Sequence, residues 1–399
     1  MFPNFYYLFR DLFGVEIYAL VYINTFGFFV AISFLLANLT MGWELKRKEE
    51  EGLLHAKSGK KWVGGQPAAM DFVVNALVGF LFGWKFIYLI VNAKEFFADP
   101  QSKILSLDGS VTAGIVVALV MVVSKYLQYL KTKKLYPEPK WEMDQLHPYQ
   151  RMGNFTIVAA VAGLFGAKMF DHMEHWDKFI ENPLGAFLNP FSGLTFYGGL
   201  IVGGAAILYV ANKAKIHWRH MLDVGGPAMM LAYGVGRIGC HMSGDGDWGI
   251  VNTLAKPGFL PDWMWAYNYP NNVAGICDQV DGVSIHCADG ITPVLANPVW
   301  PTPFYEAVAG IALFFVLWSI RKRIKVPGVL FSIYLIFAGF ERFWVEKIRV
   351  NAVYHIAGMD ITQAEIISVV LMLVGVLGIF YFRRNPNVPE MKWTKEEAV

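Results

Sequence analysis

The run Ala232-Tyr233-Gly234-Val235-Gly236-Arg237-Ile238-Gly239-Cys240-His241 closes an apolar segment, and Met242-Ser243-Gly244-Asp245-Gly246-Asp247-Trp248-Gly249 follows directly. A guanidinium at membrane depth costs about 2.5–3.5 kcal/mol on insertion scales, so it faces a polar cavity or an anionic partner. Small residues on both sides let a large group lie close to the backbone. The combination predicts a site for an anionic lipid headgroup at the end of a membrane helix. Gly234 to Gly239 also spells G-x-G-x-x-G, but the dinucleotide fingerprint needs a preceding strand and a following helix. Here a helix ends and a polar loop begins, so the match is accidental.

Outward from this run, the whole chain reads as membrane-embedded. Its 399 residues are 55% hydrophobic and 17% charged, with 31 Phe, whereas soluble domains carry roughly 25% charge. The predicted class is an all-α polytopic membrane protein. A net charge of +2 gives no reason to expect nucleic acid. The start, Met1-Phe2-Pro3-Asn4-Phe5, lacks a basic leader and a cleavage site, so the first apolar segment is expected to be a retained span.

Apolar stretches of spanning length recur nine times, at approximately 16–37, 69–92, 110–130, 154–171, 194–212, 221–241, 303–320, 327–346 and 361–382. Basic residues gather in alternate connections: Glu44-Leu45-Lys46-Arg47-Lys48 with Lys57 to Lys61, then Lys131, Lys133, Lys134 and Arg151. Lys213, Lys215 and Arg219 follow, then Arg321-Lys322-Arg323-Ile324-Lys325, and Arg383-Arg384 in the tail. All lie on one side, which the positive-inside rule makes cytoplasmic. The N-terminus is then outside and the C-terminus inside, and residues 242–302 form a small outward-facing head. Arg237 comes to lie near the outer leaflet.

The expected organisation is a first span and basic loop (1–64), a two-span unit (65–150), core spans (151–241), the head (242–302), three last spans (303–385) and a cytoplasmic tail (386–399). Three cysteines are too few for a disulfide scaffold. Cys277 and Cys287 share the head, where an oxidising compartment would permit one bridge and a reducing one two free thiols. Their spacing fits no zinc pattern. Asp245 and Asp247 could in principle bind a divalent ion, but turn chemistry explains Asp-Gly-Asp, and no metal or cofactor is expected.

Further charges point to the same end of the bundle. Arg342, Glu346 and Arg349 follow an i, i+4, i+7 pattern behind Glu341 and share a helix face, where Glu346 can pair with either arginine. They form either an ion-paired stripe or a cationic wall, because the planar guanidinium fork matches phosphate oxygens. Glu306, in the outer third of its span, needs a partner, and Arg237 and Arg342 are the candidates. His241, four residues after Arg237, is expected on the same face.

Together these motifs resemble the prolipoprotein diacylglyceryl transferase family. The likeness runs from about residue 150 to 385, with Ile17-Tyr18-Ala19-Leu20 similar to the family's first-span Tyr-Gly-Leu. It comprises Thr195-Phe196-Tyr197-Gly198-Gly199-Leu200 (similar to the HGGL motif), Asp223 with Pro227, and Gly236-Arg237-Ile238-Gly239 with Trp248-Gly249. Pro301-Thr302-Pro303-Phe304-Tyr305-Glu306 and Gly339-Phe340-Glu341-Arg342-Phe343-Trp344-Val345-Glu346-Lys347-Ile348-Arg349 complete it. Residues 65–135 look like an insertion relative to the usual core.

The resemblance implies that a lipobox cysteine thiol of a prolipoprotein signal peptide attacks the glyceryl carbon of phosphatidylglycerol, and glycerol phosphate leaves. It implies a bacterial inner-membrane location. Tyr18, Gly198, Gly199, Asp223, Arg237, Gly239, Gly249, Glu306, Arg342, Glu346 and Arg349 would then contact the phospholipid. The chain departs from the family in three places. Tyr197 replaces the HGGL histidine, and a phenol with a pKa near 10 is a poor base. Val299-Trp300 fill the positions of a basic residue, and Cys240 stands for a common Asn. Tyr197, His241 or Asp245 would have to replace the histidine beside Arg237. The alternative is a catalytically silent member that binds an anionic phospholipid or lipoprotein, with the inserted spans docking it into an envelope complex.

Overall fold

The computed structural model describes residues 1–98, 103, 106–181, 195–280, 283–288, 290–351, 353–356, 359–391 and 393. The end of the expected tail, 394–399, lies outside the described residues. The helices named here are α1 (Phe5–Phe13), α2 (Thr25–Glu50), α3 (Ala69–Val91, with a π turn at Gly83–Ile87), α4 (Val111–Leu135), α5 (Met152–Glu174), α6 (Phe196–Lys213), α7 (Trp218–Ser243), α8 (Thr302–Ile320), α9 (Val329–Glu346) and α10 (Gln363–Arg384). Three two-stranded antiparallel sheets accompany them among the described residues: β1 (Lys57–Val63) with β2 (Lys140–Leu146), β3 (Ile276–Val280) with β4 (Val283–His286), and β5 (Val353–Ile356) with β6 (Met359–Thr362).

Among the described residues, six helical segments are long and apolar enough to cross a membrane: α2, α3, α4, Pro148–Glu174, α8 and α10. The other three expected spans fall on α6, α7 and α9. α7 carries Arg219, Asp223 and Arg237, and α9 ends in Glu341, Arg342 and Glu346. Buried charge also comes from Glu44 on α2 and Glu306 on α8.

The first span begins later than expected. Residues 18–22 form a short 3-10 turn, and Asn24 caps α2 by accepting from the Gly27 N–H at 3.2 Å. An N-cap side chain satisfies one of the orphan donors of the first turn, which fixes the helix start. α2 then runs on through Glu44-Leu45-Lys46-Arg47-Lys48, so these residues are its last turns rather than a connection. The reason is pairing. Glu44, 1% exposed, accepts from Arg47 Nε at 2.9 Å and from Arg321 Nε at 3.1 Å.

The chain divides into two compact units. Unit 1 comprises Met1–Leu54, Pro148–Met152 and Val210–Met391; unit 2 comprises His55–His147, Gly153–Tyr209 and Lys392–Val399. In unit 1, α7 packs against α2, α8 and α9, and α9 against α10. Small residues set these contacts. A Cβ on Gly239 would reach Phe29 Cβ at 3.0 Å, one on Gly234 the Ile311 nitrogen at 2.8 Å, and one on Gly339 the Ser368 carbonyl at 2.5 Å. Asp223, 3% exposed, accepts from the Gly328 N–H at 2.9 Å and the Phe331 N–H at 3.0 Å. It therefore caps α9 from a neighbouring helix. α7 ends where Gly244, at φ 67°, turns the chain and donates to the Cys240 carbonyl at 3.0 Å.

The region after Gly244 is folded around Trp248, Tyr269, Ile276, Leu295 and Val299. A Cys277–Cys287 disulfide ties the ends of the β3–β4 hairpin, which settles the pairing left open by the sequence. In unit 2, α3 packs on α4 at Gly79 and Gly83, and α5 on α6 at Gly163, Gly166 and Gly199.

Candidate functional site

The site lies in unit 1, where the C-terminal ends of α7 and α9 meet the N-terminal end of α8. Arg237 Nε is 3.1 Å from Glu306 Oε2, and its Nη1 pairs with Asp247. Arg342 Nη1 donates to Glu306 Oε1 at 3.0 Å, and its Nη2 reaches Glu346 Oε2 at 3.0 Å. Arg349 completes the ring: Nη2 donates to Asp247 Oδ1 at 2.9 Å and Nη1 to Glu306 Oε1 at 3.4 Å. Glu306 is fully buried and touches all three guanidiniums.

Arg349 reaches this ring through the backbone. Gly249 and Arg349 form a β-bridge, and the Gly249 N–H donates to the Trp300 carbonyl at 2.8 Å. A Cβ at Gly249 would strike the Ile348 carbonyl and come within 2.9 Å of Thr302 Cγ2, so only glycine permits this approach. Thr302 Oγ1 donates to the Asp247 carbonyl at 2.8 Å, and Trp248 Nε1 to Gln279 Oε1 at 3.2 Å on the disulfide-tied hairpin. Asp247 is thus held from three sides.

Three guanidiniums face three carboxylates, so of the two arrangements expected, an ion-paired stripe or a cationic wall, the charges form an ion-paired, charge-balanced cluster. Burial alone would push the Asp247 carboxyl up, but Arg237 and Arg349 outweigh it and hold it below the ordinary range. Burial likewise opposes the charge on Arg349, and Asp247 and Glu306 outweigh it. Arginine offers five donors, and the ring does not use them all: Arg349 Nε is buried with no hydrogen-bond partner. Asn351 Nδ2 holds the other Glu346 oxygen.

Next to the ring lies a second pair. Tyr233, one turn before Arg237 on α7, places its hydroxyl 3.3 Å from each carboxylate oxygen of Glu341. The Arg237 guanidinium sits 5.4 Å from the centre of the Tyr233 ring.

The structure brings Arg237, Glu306, Arg342, Glu346 and Arg349 together as expected, and adds Asp247. Other expectations are corrected. His241 does not share the arginine face. Its Nδ1 lies 3.1 Å from the Tyr269 hydroxyl, and Trp263, Tyr267 and Phe304 pack around its ring. Burial drives the Tyr269 phenol well above its ordinary pKa.

Asp223 is a helix cap fourteen residues before Arg237, roughly 21 Å along α7. Tyr18, 70% exposed, stacks on Tyr6 with ring centres 5.4 Å apart and donates to Glu16 at 3.3 Å. Asp245 accepts from the Asp247 N–H at 3.2 Å, and Gly246 beside it has φ 100°. Ligand atoms of Cys240, Asp245 and Asp247 lie within 4.8 Å of one another, but both Asp247 oxygens are taken by arginines. Tyr197 is half-exposed on the first turn of α6 in unit 2. Beside it, a Cβ on Gly198 would meet Phe170 Cβ at 2.5 Å, and one on Gly199 the Gly163 carbonyl at 3.1 Å, so these glycines serve helix packing. Gly239 packs α7 on α2 in the same way.

In the sequence Asp247 reads only as a turn residue or metal ligand, and Tyr233 is passed over. Asp247 sits 102 residues from Arg349, and only its acidity beside an intramembrane arginine could have marked it. Tyr233 stood in the opening run with no charge to draw notice.

A helical polytopic membrane protein with an arginine-lined polar site is the class that this architecture defines. The chain belongs to the prolipoprotein diacylglyceryl transferase family, which matches it over residues 110–381. Among its relatives is the phosphatidylglycerol–prolipoprotein diacylglyceryl transferase of Enterococcus faecalis, 27% identical over 243 residues, or 59% of this chain and 76% of the relative. The protein of that name from Leptospira interrogans is 26% identical over 343 residues, covering 72% and 94%. That of Staphylococcus haemolyticus is 25% identical over 234 residues, covering 58% and 73%. The matched range starts at residue 110 and so takes in α4.

Proposed function

We propose that this chain moves the diacylglyceryl group of phosphatidylglycerol to a lipobox cysteine thiol and releases glycerol phosphate. The observation that carries this reading is the ring of Arg237, Arg342 and Arg349 around Glu306, in a chain of this family. The phosphate that leaves as glycerol phosphate builds negative charge as the glyceryl C–O bond of the phosphodiester breaks. Preorganised guanidiniums aimed at that charge lower the barrier. The carboxylates keep the three forks oriented before substrate enters, and the unused donors take the phosphate oxygens.

The proposed topology counts α6, α7 and α9 as spans with the six most apolar segments, giving nine. Residues 244–301 form the outward head, with the N-terminus outside and the C-terminus in the cytoplasm of a bacterium. The Cys277–Cys287 bridge supports an oxidising side for the head. Arg47, Lys48, Arg219 and Arg321 gather at the opposite end of unit 1, as the positive-inside rule requires.

The test is direct. Purified protein is incubated with phosphatidylglycerol and a lipobox peptide, and the peptide is weighed for the thioether-linked diacylglyceryl group. The product is expected, together with copurifying phospholipid that Arg237→Ala loses. Bound lipid without product would instead leave a silent lipid-binding member of an envelope complex.

A further inference from the structure

A thiol attacks carbon well only as the thiolate, so some group must take its proton. Two of the three residues that the family resemblance offered, His241 and Asp245, are engaged otherwise. His241 is enclosed by aromatic rings and hydrogen-bonded to Tyr269. Asp245 shapes the turn before Asp247.

Glu341 differs from the three acids of the ring. Each of Glu306, Asp247 and Glu346 is bound by at least one arginine, whereas Glu341 takes part in no ion pair among the described residues. It is 7% exposed, and the Tyr233 hydroxyl stands symmetrically over its two oxygens at 3.3 Å. Tyr233 is itself partly buried. Its ring is fixed by close packing of α7 on α8: a Cβ on Gly310 would come within 3.2 Å of Tyr233 Cδ1.

Position along the helix completes the argument. In a phospholipid the reacting glyceryl carbon lies on the acyl side of the phosphate. With the phosphate at Arg237, that carbon comes to lie toward the middle of the bilayer. Tyr233 is four residues deeper on α7, about 6 Å along the axis. We infer that Tyr233, backed by Glu341, is the proton relay that activates the acceptor thiol, with Tyr233 the catalytic residue and Glu341 the positioning residue behind it.

This inference rests on the transferase reading above. The thiol passes its proton to Tyr233 Oη as the phenolic proton moves to the Glu341 carboxylate. The sulfur lone pair forms the S–C bond, and the C–O bond breaks with its electrons going to the phosphate oxygen, held by the arginines. The proton then returns through Tyr233 to the departing glycerol phosphate. The charged or titratable groups around Glu341 are Tyr233 and Arg237 on α7, Glu306 on α8 and Arg342 on α9 itself.

The experiment compares the full chain with Glu341→Gln and Tyr233→Phe in the peptide-transfer assay from pH 6 to 9, alongside phosphatidylglycerol binding. A lost general base is expected to lower kcat about 10²–10⁴-fold at pH 7, with lipid affinity within about twofold. Free cysteine ionises near pH 8.5, so the deficit should shrink about tenfold for each pH unit up to that point. Turnover within threefold of the parent, a deficit that does not change with pH, or loss of lipid binding would each overturn the relay while leaving the transferase reading intact. A parent protein that forms no thioether at any pH would overturn that reading and the relay with it.

Discussion

Glu306 holds three guanidiniums at once and has no exposure to solvent. Removing one member of a buried ion network leaves its partners uncompensated, at a cost of about 3–5 kcal/mol. Glu306→Gln should therefore lower the thermal midpoint in detergent by far more than Glu16→Gln at the surface; equal midpoints would show that the ring carries no stability. Asp247 makes a pH prediction. Its folded pKa is depressed, so its contribution is complete above the unfolded value near 3.9 and is lost as pH falls through the lower folded value. Asp247→Asn should be less stable than the parent from pH 5 to 8, and the gap should close below about pH 4 in an acid-unfolding series. The need of Glu306 for a partner was legible in the sequence, since an acid in a spanning helix is costly alone. That it binds three arginines was not, because the chain from Trp248 to Arg349 must fold to deliver the third.

At the scale of single elements, Asp223 and the β3–β4 hairpin make separate predictions. Asp223 satisfies two orphan N–H groups at the start of α9, and losing a cap costs roughly 0.5–2 kcal/mol. Asp223→Ala should lower stability and leave phosphatidylglycerol affinity within twofold. A selective loss of binding would return Asp223 to the lipid site. The Cys277–Cys287 bridge closes a short loop, worth about 2–3 kcal/mol on the chain-entropy view. Cys277→Ser with Cys287→Ser should lower the midpoint and slow transfer, because Gln279 on this hairpin holds Trp248 beside Asp247. Unchanged transfer would separate the hairpin from the site. Hydropathy showed most helices to within a few residues. It failed at 16–24, where Tyr18, Leu20, Val21 and Ile23 look like the start of a span. There a single capping residue, Asn24, decides where the helix begins. It also missed that Glu44 to Lys48 stay helical, because ion pairs rather than apolarity hold that turn.

For the whole molecule, the proposed orientation puts the disulfide-tied region and the arginine ring near the outer surface, and the Glu44–Arg321 end near the cytoplasm. Protease added to intact spheroplasts should cut within residues 254–262 and spare Lys57 to Lys61; the reverse pattern would invert the topology. Charge alternation along the chain made this orientation readable, because basic residues recur in every second connection. The chemistry was less legible, since it depends on which acid remains unpaired once the helices pack. The central claim is that the arginine ring holds the phosphate while the glyceryl carbon is transferred. Its most direct test counts glycerol phosphate released per thioether formed, for the parent and for Arg237→Ala. The parent should release one glycerol phosphate per thioether, and Arg237→Ala should slow both together by about 10²–10³-fold, as loss of one preorganised donor does. Transfer by Arg237→Ala at the parent rate, or thioether formed without glycerol phosphate, would contradict the account.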